Sequence, residues 1–151
     1  IEPQPLLEEE LLWLRNNAPK RVERVSLLWG DPGPGNFLHQ DGRITGVVDW
    51  ELAHLGDPMD DLGFLIWRTG LTGELMDRQD LLEYYQRVSG IKVSEDNIEY
   101  YQILANVKTA IMCHTATRGF CDSKNLDPHL AAIGLLVFRI GLKQAAELMG
   151  L

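Results

Sequence analysis

The sequence predicts an α+β domain that is mainly α-helical and carries a small β-hairpin platform. Three observations lead to this prediction. Apolar residues recur at helical spacing towards both ends of the chain, runs of β-branched and large apolar residues flank residues 27–51, and Gly and Pro are concentrated between those runs. A chain of 151 residues has the size of one domain, so we expect a single domain covering residues 1–151.

The first elements follow from spacing and turn residues. A helix is predicted over residues 4–17, where Leu recurs at helical intervals, and Pro19 provides its stop. A short strand, RVSLLW, leads to Gly30, and the next six residues, DPGPGN, must form a loop because they contain two Pro and two Gly. The segment FLHQDGRITGVVDW predicts a β-hairpin that turns at Asp41-Gly42.

The remainder of the chain is predicted to be helical. The segment MDDLGFLIWRTG follows Pro58, which suits the first turn of a helix, and its Gly70 suits the end. Asp127-Pro128 signals the start of the last helix. Three further helices are predicted at 73–88, 95–113 and 126–149.

Composition argues against several classes of partner. The formal net charge is -8, with 22 acidic and 14 basic residues and no basic cluster, so we expect no nucleic-acid partner. The most apolar run, LAAIGLLVFRIGL, is too short to span a bilayer and contains Arg139, which predicts a buried helix and no membrane partner. Cys113 and Cys121 match neither a CxxC motif nor a zinc spacing, so we expect a cytoplasmic location.

Asp31, Asn36 and Asp49 are the residues that indicate a chemistry. Asp31 and Asn36 are five residues apart, as in the loop motif H-R-D-x-x-x-x-N, and a hairpin should bring Asn36 near Asp49. Phosphoryl transfer needs a carboxylate that accepts the hydroxyl proton and oxygen ligands that hold Mg²⁺ against the nucleotide phosphates. Taken singly, these residues would be turn formers and a strand cap, but their joint spacing favours a metal site.

The stretch WGDPGPGNFL, followed by GVVDWELAHLGDPMDDLG, resembles the loop and metal motif of the aminoglycoside phosphotransferase and choline kinase family, which has a protein-kinase-like fold. The close match covers residues 29–63. The resemblance implies an ATP-dependent kinase that phosphorylates a hydroxyl of a small-molecule substrate. It also implies that Asp31 is the catalytic base and that Asn36 and Asp49 bind the cofactor as Mg²⁺ ligands.

Neighbouring residues receive supporting roles from the same resemblance. Asp57 and Asp61 would brace the catalytic loop and the start of the following helix. Trp29 stands where many members of the family have His. An indole can fill that volume and donate one hydrogen bond, so we expect catalysis to be retained. Trp50 is expected to be a core aromatic that holds Asp49 in place.

The resemblance is to a C-terminal lobe. Family members cover the nucleotide phosphates with a Gly-rich loop and a Lys from an N-terminal lobe, and neither precedes residue 29. We therefore expect that the N-terminal nucleotide-binding lobe is missing, that the isolated chain has little kinase activity, and that its uncovered surface allows a homodimer of the fragment. The alternative is a non-catalytic binding or interaction domain derived from such a kinase.

Three other features have both a functional and a structural interpretation. His54 could line the same cleft as Asp49 or be a structural residue. Glu51 could contact metal or substrate or be a solvated acid. The segment HTATRGF at 114–120 is predicted to end a helix and border a substrate pocket, where Arg118 could meet an anionic group or be solvated.

Overall fold

A computed structural model describes residues 4–72, 77–124 and 126–151, and the chain divides into two compact units. One unit comprises residues 1–18 and 103–151, and the other comprises residues 19–102. The described part contains these elements in order: α1 (Pro5–Asn17), β1 (Ser26–Leu28), β2 (Phe37–Gln40), β3 (Arg43–Val47), β4 (His54–Gly56), α2 (Met59–Thr72), α3 (Arg78–Ser89), α4 (Glu95–Cys121) and α5 (Pro128–Met149). The prediction of a mainly helical α+β fold is confirmed.

The strands form two antiparallel pairs in unit 19–102. β2 pairs with β3, as the sequence predicts, and Asp41 and Gly42 make the turn with φ values of 51° and 73°. Positive φ at both central residues is the geometry of the two-residue turns that match strand twist. β1 pairs with β4, which the sequence analysis missed because a three-residue strand has too short a pattern to recognise.

Helix bounds differ from the predictions at several ends. α2 continues past Gly70 to Thr72, because Gly70 keeps a negative φ and does not act as a left-handed cap. The helix predicted at 73–88 is observed at Arg78–Ser89, and residues 73–76 lie outside the described residues. α4 was predicted to end at 113 but extends to Cys121.

Side-chain hydrogen bonds are found in the last turns of α4 and at the start of α5. The Thr117 hydroxyl of α4 shares its single proton between the carbonyl oxygens of Cys113, at 3.1 Å, and Ala131 of α5, at 3.2 Å. Asp127 caps α5 as predicted, because its carboxylate accepts hydrogen bonds from the backbone N–H groups of His129 and Leu130.

Each unit has its own apolar core. In unit 19–102 the core joins α2, α3 and α4 through Met59, Leu62, Leu82 and Ile98. In the other unit, Leu7 of α1 packs against a cluster from α4 and α5 formed by Ala110, Phe138 and Leu142. These cores fix the helices that carry the polar residues described below.

The prediction that α5 is a buried helix is only partly correct. Its buried residues lie on one face, whereas Leu135 and Leu136 on another face are 49% and 60% exposed. Among the described residues, α5 is long and apolar enough to cross a membrane by length and composition alone, a test that the core helix of a soluble protein also passes. Gly141 lets α5 approach α4 closely, because an added Cβ would lie 2.8 Å from the carbonyl oxygen of Asn106.

Candidate active site

Asp61 of α2 holds the start of the loop at residues 29–36. Its two carboxylate oxygens accept hydrogen bonds from the backbone N–H groups of Trp29 and Gly30, each at 2.8 Å. Gly30 has a φ of +84°, and an added Cβ would lie 2.2 Å from the carbonyl oxygen of Leu52. A side chain is therefore excluded at this position, and the bracing role predicted for Asp61 is observed as two direct bonds.

Asp31 and Asn36 are brought together by the loop. The Asn36 Nδ2 group donates to Asp31 Oδ2 at 2.7 Å and to the Asp31 carbonyl oxygen at 3.1 Å. The backbone N–H of Asn36 donates to the Gly33 carbonyl at 3.2 Å, which closes a tight turn. Because Nδ2 faces Asp31, the amide oxygen Oδ1 is turned away from that carboxylate.

Asp49 lies beside Asn36 along the backbone of the hairpin. The N–H of Val48, the residue before Asp49, donates to the Asn36 carbonyl oxygen at 2.9 Å. Asp49 has a φ of 61°, a left-handed conformation that Asp adopts more readily than most residues. A non-glycine residue held in this region at a candidate site is typical of functional positions.

The two tryptophans beside Asp49 differ in role. Trp29 Nε1 donates to the carbonyl oxygens of Val48, at 2.8 Å, and Asp49, at 3.2 Å, so the hydrogen bond expected of an indole at this position is present. Trp50 is 48% exposed, and the prediction that it is a core aromatic is wrong. Its ring lies 6.2 Å from that of Trp29, and its indole N–H donates to the Val47 carbonyl oxygen at the surface.

Arg68 of α2 is the residue that the sequence analysis missed. Its Nη1 forms an ion pair with Asp31 Oδ1, and its Nη2 donates to the Pro34 carbonyl oxygen at 3.3 Å. Arg68 and Asp31 are 37 residues apart in sequence, so no local pattern links them. The only signal in the sequence is Gly33, because a residue without a side chain leaves room for the Arg68 stem.

Asp57 braces the start of α2. Its Oδ1 accepts from the backbone N–H of Met59 at 3.0 Å, and its Oδ2 accepts from Asn97 Nδ2 at 2.7 Å. The predicted structural role of Asp57 agrees with these contacts. Burial, and then the nearby carboxylates of Asp57 and Asp60, raise the pKa of Tyr101.

His54 faces the start of α2. Its Nε2 lies 3.2 Å from Asp60 Oδ2, and its Nδ1 lies 2.9 Å from the Leu52 carbonyl oxygen. These contacts favour the structural interpretation of His54. Glu51 is exposed.

Asn36 and Asp49 suit a Mg²⁺ ion that is shared with phosphate oxygens. Such an ion takes one or two carboxylates and other hard oxygens from the protein and keeps waters or phosphates in its remaining positions. Oδ1 of Asn36, which is turned away from Asp31, and the exposed carboxylate of Asp49 are donors of this kind. The described residues contain no group of three or more His, Cys, Asp or Glu that could hold a metal by themselves.

The segment at 114–120, which is expected to border a substrate pocket, contributes to a cavity within the unit that comprises residues 1–18 and 103–151. A cavity of about 870 Å³ is lined there by residues of α1, α4 and α5, including His114, Thr117 and Arg118. Leu6 and Phe138 contribute apolar surface to the same cavity. Asp31 belongs to the other unit.

The same unit contains an unusual carboxylate. Glu10 of α1 is completely buried, and neither of its carboxylate oxygens has a hydrogen-bond partner among the described residues. Burial raises the pKa of Glu10 to about 7. This side chain is therefore a source of pH-dependent stability outside the candidate active site.

Solved structures with the same fold are aminoglycoside phosphotransferases. A protein of Ralstonia eutropha JMP134 classed with these enzymes superposes with a TM-score of 0.80 at 18% identity, covering 97% of this chain and 50% of that one. A thermostable mutant of the aminoglycoside phosphotransferase APH(4)-Ia gives a TM-score of 0.51 at 21% identity, covering 93% of this chain and 43% of that one. The chain therefore has the fold of a kinase-like phosphotransferase.

Residues 2–93 match the phosphotransferase enzyme family, and this chain belongs to that family. Among curated relatives, the acyl-CoA dehydrogenase family member 11 of Gallus gallus is 29% identical, covering 70% of this chain and 16% of that protein. The YcbJ protein of Bacillus subtilis (strain 168) is 41% identical, covering 43% of this chain and 20% of that protein. The chain thus matches at most about a fifth of the length of these two relatives.

Proposed function

We propose that this chain supplies the catalytic base and the Mg²⁺ ligands of an ATP-dependent phosphotransferase that acts on a hydroxyl group of a small molecule. The observation that carries the proposal is the bond of 2.7 Å between Asn36 Nδ2 and Asp31 Oδ2, because it joins the candidate base to a candidate ligand. Membership of the phosphotransferase family supports the same reaction class.

In the proposed reaction, Asp31 accepts the proton of the acceptor hydroxyl. The hydroxyl oxygen forms a bond to the γ-phosphorus of ATP, and the bond from that phosphorus to the β–γ bridging oxygen breaks with its electron pair leaving on ADP. Asp31 is fixed for this role by Asn36 on one carboxylate oxygen and Arg68 on the other. A carboxylate has about four lone-pair sites, so an acceptor hydroxyl can still bond to it.

Asn36 and Asp49 would hold Mg²⁺ through one amide oxygen and one carboxylate. When bound, the ion would neutralise phosphate charge and fix the nucleotide's position. The protein itself contributes by holding Asn36 and Asp49 in place in advance. The hydrogen bond from Val48 to the Asn36 carbonyl keeps the two ligand-bearing residues adjacent before any ligand arrives.

Calorimetric titration with ATP, in the presence and absence of Mg²⁺, tests this function. We expect Mg²⁺-dependent binding to this chain, and a loss of affinity of at least about tenfold in Asp49→Ala because a metal ligand is removed. Asp31→Asn is the matched control, since it removes the base but not a ligand, and it should retain Mg²⁺-dependent binding.

The opposite outcomes favour the non-catalytic alternative. In a chain joined to a nucleotide-binding N-terminal lobe, binding that is absent, independent of Mg²⁺, or equal in Asp49→Ala and its parent would contradict the proposed function. An interaction domain derived from a kinase would give such a result, because it would not need Asp49 as a ligand.

A further inference from the structure

Helix α2 contacts the catalytic loop at two points through two of its side chains. Asp61 and Arg68 are seven residues apart, which is about two helical turns, and therefore lie on one side of α2. Asp61 binds the backbone N–H groups of Trp29 and Gly30, while Arg68 pairs with Asp31 further along. The guanidinium is thus held at the candidate base by the same helix that fixes the loop.

Gly33, unlike Gly35, makes room for Arg68. An added Cβ at Gly33, whose φ is +156°, would lie 2.5 Å from Arg68 Cδ and 2.8 Å from its Nε. An added Cβ at Gly35 would lie 4.0 Å from Arg68 Nη2. The arginine stem therefore fills the space that a side chain at position 33 would occupy.

The negative charges at the loop would be stabilised by a nearby cation. Asp31 and Asp49 are both carboxylates, and a nucleotide would add the negative charge of its phosphates. Phosphoryl transfer relies on fixed positive groups beside the transferring phosphorus, and the planar fork of arginine binds phosphate oxygens well. Arg68 places a permanent positive charge in direct contact with Asp31, the residue that must lie beside the acceptor hydroxyl.

The contacts of Arg68 allow an exchange of partners. Its bond to the Pro34 carbonyl is long, at 3.3 Å, and the acceptor is neutral. A phosphate oxygen would form a charge-assisted bond, which is stronger. The Arg68 side chain is 24% exposed, so an incoming anion can reach it while the pairing with Asp31 is kept.

We propose that Arg68 is a phosphate-binding catalytic residue, whose guanidinium contacts both Asp31 and an oxygen of the transferring phosphoryl group. The inference rests on the proposed function, because it takes Asp31 as the residue that meets the acceptor hydroxyl. Arg68 exchanges no proton in the step. It stabilises the charge on the phosphoryl oxygens while the new P–O bond forms and the bond to ADP breaks.

The test titrates inorganic phosphate into this chain without divalent cations and follows the Nε–Hε NMR signal of Arg68 and the backbone amides of the loop. We expect saturable binding that Arg68→Gln weakens by at least about tenfold and that Arg68→Lys retains in part, since lysine keeps the charge but not the fork. Arg43→Gln, an exposed arginine of β3, is the charge-matched control and should bind like the parent.

Asp49→Ala separates this inference from the proposed function. It should bind metal-free phosphate at least as well as the parent, because a repelling carboxylate is lost, although it should lose Mg²⁺-dependent ATP binding. Phosphate binding that is absent in the parent, or equal in Arg68→Gln and Arg43→Gln, would overturn the role of Arg68. If Arg68→Gln does not fold, Arg68→Lys decides the matter: a reduced phosphate affinity, followed on the backbone amides of the loop, supports the contact with Arg68, and an affinity equal to that of Arg43→Gln overturns it.

Discussion

Replacement of Asp61 by alanine should destabilise the chain because it removes the acceptor of two backbone N–H groups. Hydrogen bonds to a charged group contribute about 1.5–3 kcal/mol each, and Asp61 accepts two at 2.8 Å in a partly buried position. Allowing for partial solvation, we expect a loss of about 2–4 kcal/mol in the free energy of unfolding. For a chain of this size that corresponds to a fall in Tm of roughly 6–12 °C.

The assay is thermal and urea unfolding followed by circular dichroism, with Asp80→Ala as a matched control. Asp80 is an exposed acid in the first turn of α3, so its loss should cost at most about 0.5 kcal/mol. Asp61→Ala should also weaken Mg²⁺-dependent ATP binding, because the loop that carries Asp31 and Asn36 loses its anchor. A Tm equal to that of Asp80→Ala would refute the reasoning that Asp61 fixes the loop.

Three further predictions follow from single contacts. Gly30→Ala should lower the free energy of unfolding by about 3 kcal/mol or more, because its Cβ would clash with the Leu52 carbonyl oxygen. Gly42→Ala should lower it by about 1 kcal/mol, because Gly42 has a positive φ but nothing lies within 4 Å of an added Cβ. Equal losses in urea unfolding would contradict the clash at Gly30. The free energy of unfolding of the parent should fall as pH rises from about 4.5 to about 7, because burial raises the pKa of Glu10 from 4.5 to about 7. Glu10→Gln should remove up to about 3 kcal/mol of that decrease. Parallel curves of stability against pH for the two proteins would contradict this reasoning. Trp29→Phe should lose about 1 kcal/mol through the missing bond to the Val48 carbonyl, and an unchanged urea midpoint would show that this bond does not stabilise the loop.

Features that depend on local pattern could be predicted from the sequence. The Asp41-Gly42 turn fixes the pairing of Gln40 with Arg43 beside it, before the register shifts between Leu38 and His39, and the cap at Asp127 fixes the start of α5, because both depend on neighbouring residues. The hairpin brings Asn36 close to the segment that contains Asp49, and the N–H of Val48 donates a hydrogen bond to the Asn36 carbonyl oxygen. These inferences needed only turn and cap chemistry.

Features that depend on distant packing could not be predicted in this way. Arg68 meets Asp31 only because α2 packs beside the loop, and nothing in the spacing of an arginine in an apolar helix shows which loop it faces. The sequence predicts Trp50 as a core aromatic, but Trp50 is 48% exposed and follows Asp49, whose φ is 61°. β4 becomes a strand through its pairing with β1, since three residues have little intrinsic preference.

The close approach of Arg68 to Gly33 makes these two positions interdependent in evolution. A side chain at position 33 meets two obstacles, because its Cβ would lie 2.5 Å from Arg68 Cδ and because the φ of +156° is strained for any residue other than glycine. A shorter residue at 68 removes the first obstacle and leaves the second. A double variant should therefore recover only the part of the lost stability that the overlap causes, and glycine remains favoured at position 33.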